Sequence, residues 1–224
     1  INHSEMFPLF SQNGNNKLDF FQIWLNLPSY NKRVEPNFEM YWEDEIPKIS
    51  SNLNGNKNVQ VEIITGDYLD FSSPIAPKNS WANNKKNDVA VWIIRLDRKG
   101  KFAIPNTKSG AKRNLYVLKG SNMEIDGQSL SGGSMVTLDS SKNTVIKNLG
   151  SKTKILMLQG VPINEPVVKY GPFVMNTRSE IEQAFYDYNK TEFGGWKWGN
   201  SDPVHGMEKE KFAKLINGNI IKPS

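Results

Sequence analysis

The sequence predicts an all-β fold, a sandwich or barrel of short strands, followed by one amphipathic helix. Three observations carry that prediction. Short runs of strand-forming residues recur across 89–158, separated by turn-forming groups such as Asp97-Arg-Lys-Gly100, Asp126-Gly127 and Ser131-Gly-Gly-Ser134. Thr177 and Glu180 stand at capping-box spacing, and Ile181, Ala184, Phe185 and Tyr188 follow at i, i+3, i+4, i+7, one apolar face of a helix. No apolar run reaches the roughly 20 residues that span a bilayer, and the chain has no cysteine, which excludes a disulfide framework and a thiolate metal site.

The chain opens on Ile1-Asn2-His3-Ser4-Glu5-Met6. In a strand alternate side chains share a face, so His3 and Glu5 project together while Asn2 and Ser4 face away. An imidazole beside a carboxylate suits a divalent iron, manganese, nickel or zinc ion; read from the residues alone, such a pair is more commonly a surface contact at a frayed chain end. Lys17 to Leu27, KLDFFQIWLNL, mixes alternation with a continuous apolar core, as a strand buried on both faces does, and Pro28 ends it. Residues 31–50 read as a loop or arm. Its acids Glu43, Asp44 and Glu45 are either a solvated cluster or metal-ligating. Val59 to Thr65 alternates cleanly and is expected as a strand, turned by Gly66-Asp67. Residues 71–88, rich in Pro, Ser and Asn, read as a linker, which makes 1–70 the end of one module and 89–224 a second.

In the second module strands are expected at Val89–Leu96, Asn114–Leu118, Met123–Ile125, Val136–Leu138, Thr144–Asn148 and Thr153–Leu158. Pro162 and Pro166 carry the chain extended into Val167–Tyr170, and Gly171-Pro172 turns it before the capping box. Trp196, Trp198 and the segment to His205 form an aromatic tail, expected to lie back over the sheets, with His205 structural or solvated. Glu208 to Ile216 reads as a short terminal helix.

A net charge of +5 invites a nucleic-acid reading, yet acids and bases are interspersed, as in Arg95-Leu-Asp97-Arg98 and Glu208-Lys-Glu-Lys211. A solvated Lys-rich surface is expected, with neither nucleic acid nor membrane as partner. The first residues hold no basic region followed by an apolar one, so a cytoplasmic location is expected.

The pattern EPVV-YGPFVMNT--EI--A--DY from Glu165 to Tyr188 resembles the C-terminal part of the pirin family, metal-binding bicupins. His3-Ser-Glu5-Met6, Leu25-Asn-Leu-Pro28 and Lys119-Gly120 are similar to further parts of the pirin pattern. The resemblance implies an all-β bicupin of two double-stranded β-helix barrels. The first would be incomplete because the chain starts inside it, leaving residues 1–70 as the remnant of the metal-binding cupin. Residues 71–88 would be the linker, and 89–224 the C-terminal cupin with its helix and aromatic tail. It further implies one Fe(II), or another divalent metal, held by three histidines and a glutamate. By that resemblance His3 and Glu5 are two ligands, Glu5 doubling as a general base, and the other two belong to an upstream H-x-H that these residues do not contain. For the parent protein the family implies a quercetin 2,3-dioxygenase-type oxidoreductase acting on a flavonol such as quercetin, or a non-enzymatic regulator that binds a protein partner. For this chain the expectation is no bound metal, no turnover, and self-association through exposed strand edges.

The cupin template lays onto the second module as well. Its first motif, G-x5-H-x-H-x4-E-x6-G, matches in spacing from Gly100 to Gly120, with Asn106, Lys108 and Arg113 in the ligand slots. Its second fits from Gly133 to Asn148, with Thr144 in the histidine slot and Asp139 and Ser141 in place of a proline and a glycine. The framework Gly100, Gly120, Gly133 and Asn148 is retained. Neither ammonium nor guanidinium offers a lone pair, so this cupin is expected to be metal-free. Lys108 and Arg113 either cradle an anion or are structural charges.

Overall fold

The computed structural model describes residues 2–50, 58–108, 110–200 and 210–223. They fall into two units, Tyr41–Asn164 and the pair of segments Ile1–Met40 and Glu165–Ser224. The fold is β-rich and cupin-like, with a short helix toward the C-terminal end.

The unit Tyr41–Asn164 is built from β1 (Lys48–Ser50), β2 (Val59–Thr65), β3 (Asp67–Tyr68), β4 (Phe71–Ser72), β5 (Ala90–Leu96), β6 (Lys101–Ile104), β7 (Lys112–Lys119), β8 (Met123–Ile125), β9 (Gln128–Leu130), β10 (Ser134–Leu138), β11 (Thr144–Asn148) and β12 (Thr153–Gly160). A six-stranded sheet runs β1-β2-β5-β12-β7-β10, and a four-stranded sheet runs β6-β11-β8-β9. Period-two alternation fixes which side chains enter the core. Trp92, Ile94 and Leu96 of β5 stand opposite Met157, Ile155 and Thr153 of β12, all buried. Val61 and Ile63 of β2 oppose Ile94 and Trp92 in the same register. Phe102, Ile104, Met123, Ile125 and Ile146 of the second sheet join them in one cluster. Each fully buried aliphatic side chain there contributes about 2 kcal/mol from water exclusion.

The retained template residues have structural reasons to be what they are. Asn148 is wholly buried, and its amide nitrogen donates to the carbonyls of Leu96, Asp97 and Ser151 at 2.9, 3.0 and 2.7 Å. Its carbonyl oxygen accepts the Gly150 N–H, so one side chain pins the turn after β5 to the turn before β12. A Cβ at Gly100 would sit 2.6 Å from the Asn58 carbonyl oxygen, which keeps that position glycine.

The unit of Ile1–Met40 and Glu165–Ser224 carries β13 (Val168–Tyr170), β14 (Phe173–Met175), α1 (Arg178–Thr191), β15 (Ala213–Lys214) and β16 (Ile220–Ile221). The expected turn at Gly171-Pro172 closes the β13–β14 hairpin. The capping box forms in both directions. Thr177 Oγ1 accepts the Glu180 N–H at 3.2 Å, and the Glu180 carboxylate accepts the Thr177 N–H at 2.8 Å. Ile181 and Ala184 are buried beneath the helix, and Phe185 packs edge-on to Phe173 with centroids 4.8 Å apart.

Three expectations give way. Residues 17–27 run without regular secondary structure instead of forming a strand, with Phe20 and Trp24 55% and 58% exposed. Strand-forming composition reports a fit to a pleated, half-buried surface, and here no ladder provides one. The indole of Trp24 instead lies under the Lys169 ammonium, 5.0 Å from its ring centroid. The stretch read as a loop to residue 50 ends in β1, whose Ile49 is buried opposite Val61. The terminal helix expected from Glu208 is not formed by its described residues, where Ala213–Lys214 pairs with Ile220–Ile221 around Gly218. His205 lies outside the described residues. Among the described residues no helix is long and apolar enough to cross a membrane.

Candidate functional site

Two places answer to the template's ligand positions. The first is the opening segment, which forms no strand over residues 2–9, contrary to the alternation expected there, and in which Asn2 Nδ2 donates to the Glu192 carbonyl at 3.0 Å. His3 and Glu5 do project together, with Nε2 and Oε1 3.3 Å apart and both side chains more than half exposed. Among the described residues, no other polar contact holds either side chain. As donors they fit a borderline divalent ion, an imidazole nitrogen and a carboxylate oxygen. As a shell they fall short. Among the described residues no group of three or more histidine, cysteine, aspartate or glutamate side chains is placed to hold a metal. The acids at 43–45 are not such a group: Glu43 pairs with Lys48 at 2.7 Å, and the Glu45 carboxylate accepts the Trp42 N–H at 2.6 Å within a turn.

The second place is in the two-sheet unit, where the residues in the slots differ in burial. Asn106 and Lys108 are exposed, and the Asn106 N–H donates to Asn143 Oδ1 at 2.8 Å. Thr144 and Arg113 are each 2% exposed, on β11 and β7. Arg113 is the largest fully buried side chain of the described residues. Its Nε donates to Gln159 Oε1 at 2.6 Å and its Nη2 to the Pro105 carbonyl at 2.9 Å. Gln159 in turn donates to Asp88 Oδ1 at 2.8 Å, and the Thr107 hydroxyl donates to Asp88 Oδ2 at 2.5 Å. Burial pushes the guanidinium below its usual range while the Asp88 carboxylate opposes that shift. The group remains a cation at neutral pH. Nη1 has no hydrogen-bond partner.

Sequence reasoning found Arg113 through its slot but missed Asp88, Thr107 and Gln159. Gln159 lies 46 positions from Arg113 and 71 from Asp88, and no local spacing joins them. Register does: Gln159 of β12 stands opposite Arg113 of β7 on one side and Ala90 of β5 on the other.

Residues 91–194 match the pirin C-terminal cupin domain. A Vibrio cholerae protein carrying a provisional quercetin 2,3-dioxygenase name is 31% identical over 85% of this chain and 63% of its own length. Human pirin is 28% identical over 77% of this chain and 56% of its own. Among solved structures, a quercetin 2,3-dioxygenase from Acinetobacter baumannii is 29% identical with a TM-score of 0.64, covering 76% of this chain and 55% of that one. The chain thus spans less than two thirds of the length of the curated relatives it matches.

Proposed function

Because this chain is homologous to the pirin bicupins, carrying their C-terminal cupin and part of the first, we propose that the whole protein is a mononuclear metal bicupin of the quercetin 2,3-dioxygenase type. In this reading the metal is Fe(II) or another divalent ion and the substrate is a flavonol such as quercetin. His3 and Glu5 supply two ligands, and an H-x-H pair absent from these 224 residues supplies the others. The observation that supports the reading is the approach of His3 Nε2 and Glu5 Oε1 to 3.3 Å. When bound, the ion would bring a flavonol oxygen and dioxygen into one coordination sphere. This chain's own contribution would be to present the imidazole nitrogen and to take the substrate's hydroxyl proton at a Glu5 carboxylate oxygen. With two donors and no partner bracing the imidazole, the 224 residues alone hold metal weakly and do not turn over.

The second cupin takes no part in metal binding on this reading, since a buried guanidinium stands in its glutamate slot. Oxygen consumption by the iron-loaded whole protein on addition of quercetin tests the enzyme reading. Uptake that disappears in His3→Ala is the expected result. A fully metallated protein that consumes no oxygen fits the other family role, a metal-dependent regulator presenting a surface to a protein partner.

A further inference from the structure

We propose that the second cupin binds a small oxyanion at Arg113, in the slot where the cupin template carries its glutamate ligand. Arg113 is a buried cation, and a buried charge persists only when it is paired or fully hydrogen-bonded. Its direct acceptors are both neutral, the Gln159 amide oxygen and the Pro105 carbonyl. Asp88 reaches it through Gln159, and the Asp88 oxygens already take the Gln159 amide and the Thr107 hydroxyl. The negative charge nearest the guanidinium is therefore shared with other donors.

Hydrogen bonding shows the same deficit. Arginine has five N–H donors, and Nη1 of Arg113 is buried without an acceptor. An unmet buried donor costs about 1–3 kcal/mol, and more when the group is charged. A neutral acceptor meets only the hydrogen-bond deficit. An oxyanion meets both, because its paired oxygens match the planar fork and carry the opposite charge. The chemical class is a small carboxylate or a phosphate. This inference does not depend on the metal reading of His3 and Glu5.

Thermal unfolding of the 224-residue chain tests it, with acetate, phosphate or chloride raised at constant ionic strength. A ligand that binds only the folded state raises the midpoint with its concentration. The expected result is a rise with acetate or phosphate that chloride does not give, and the stronger of the two identifies the carboxylate or the phosphate as the source. Asp88→Asn keeps Arg113 and suits the left-handed backbone at residue 88, where φ is 47°. It also removes the competing charge, so the oxyanion should bind about threefold tighter. Arg113→Lys keeps a cation and loses the fork, and its midpoint should lose the oxyanion dependence whatever its own stability. Equal responses to all three salts in the wild type and Asp88→Asn overturn the proposal, as does an Arg113→Lys response equal to that of the wild type.

Discussion

The two places that the cupin template marks for ligands have opposite physical characters. His3 and Glu5 carry donor atoms suited to a divalent ion on an exposed segment without regular secondary structure, where their polar contact is with each other. Arg113 and Thr144 carry the wrong atoms for a metal but lie buried in a two-sheet unit, with Arg113 joined to β12 and to residues 88, 105 and 107. Donor identity and site quality have come apart. A metal site needs both: lone pairs of suitable softness, and a surrounding shell that holds them in place. The first place has only the lone pairs, and the second has only the shell.

That contrast can be broken or sharpened by substitution, and the largest effect belongs to the buried shell. Asn148→Ala removes the donor from three backbone carbonyls at once. It should lower stability by about 3 kcal/mol in urea denaturation, and a loss below about 1 kcal/mol would mean those turns are held by something else. Thr177→Ala removes half of the capping box of α1, and about 1 kcal/mol should be lost.

Acid should act on the helix-bearing unit. The Glu165 carboxyl is held below its usual range, first by the Ser29 N–H donated to it at 2.7 Å, and then by Asn176 and the Ser29 hydroxyl. Its folded value is thus below the unfolded one. The stabilisation is complete above the ordinary glutamate pKa of about 4.3 and is lost as pH falls through the depressed folded value. Glu165→Gln should flatten that part of the stability–pH curve, and an unchanged slope would assign the acid sensitivity elsewhere. The smallest effect is expected at the other ligand place. His3→Ala should change stability by less than about 0.5 kcal/mol, as for an exposed side chain outside the core.

The legibility of the sequence follows the same division. Val59–Thr65 and Thr144–Asn148 were readable as strands because each buries alternate side chains against a packed sheet. The Thr177–Glu180 box was readable because its chemistry is local. The framework residues of the template were readable because turns demand them, as Asn148 and Gly100 show. Lys17–Leu27 misled because composition states what a segment can bury, not whether a neighbouring strand is there to bury it. Lys101–Ile104 and Gln128–Leu130 escaped because each is short and stabilised by its pairing, with β11 and β8 respectively. At the ligand places, the approach of His3 to Glu5 followed from their closeness in sequence, although residues 2–9 form no strand. The Arg113–Gln159–Asp88 chain did not, because only sheet register brings those residues together.

On the proposed reading, the family's metal chemistry belongs to His3 and Glu5, and Arg113 bars a metal from the second cupin. Manganese(II) titrated into the isotope-labelled 224-residue chain tests it most directly, through paramagnetic broadening of amide signals. Broadening should begin at residues 2–6, leave Arg113 and Thr144 sharp at the same metal concentration, and vanish in His3→Ala. Broadening centred on Thr144 or Arg113, or an unchanged pattern in His3→Ala, would contradict the account.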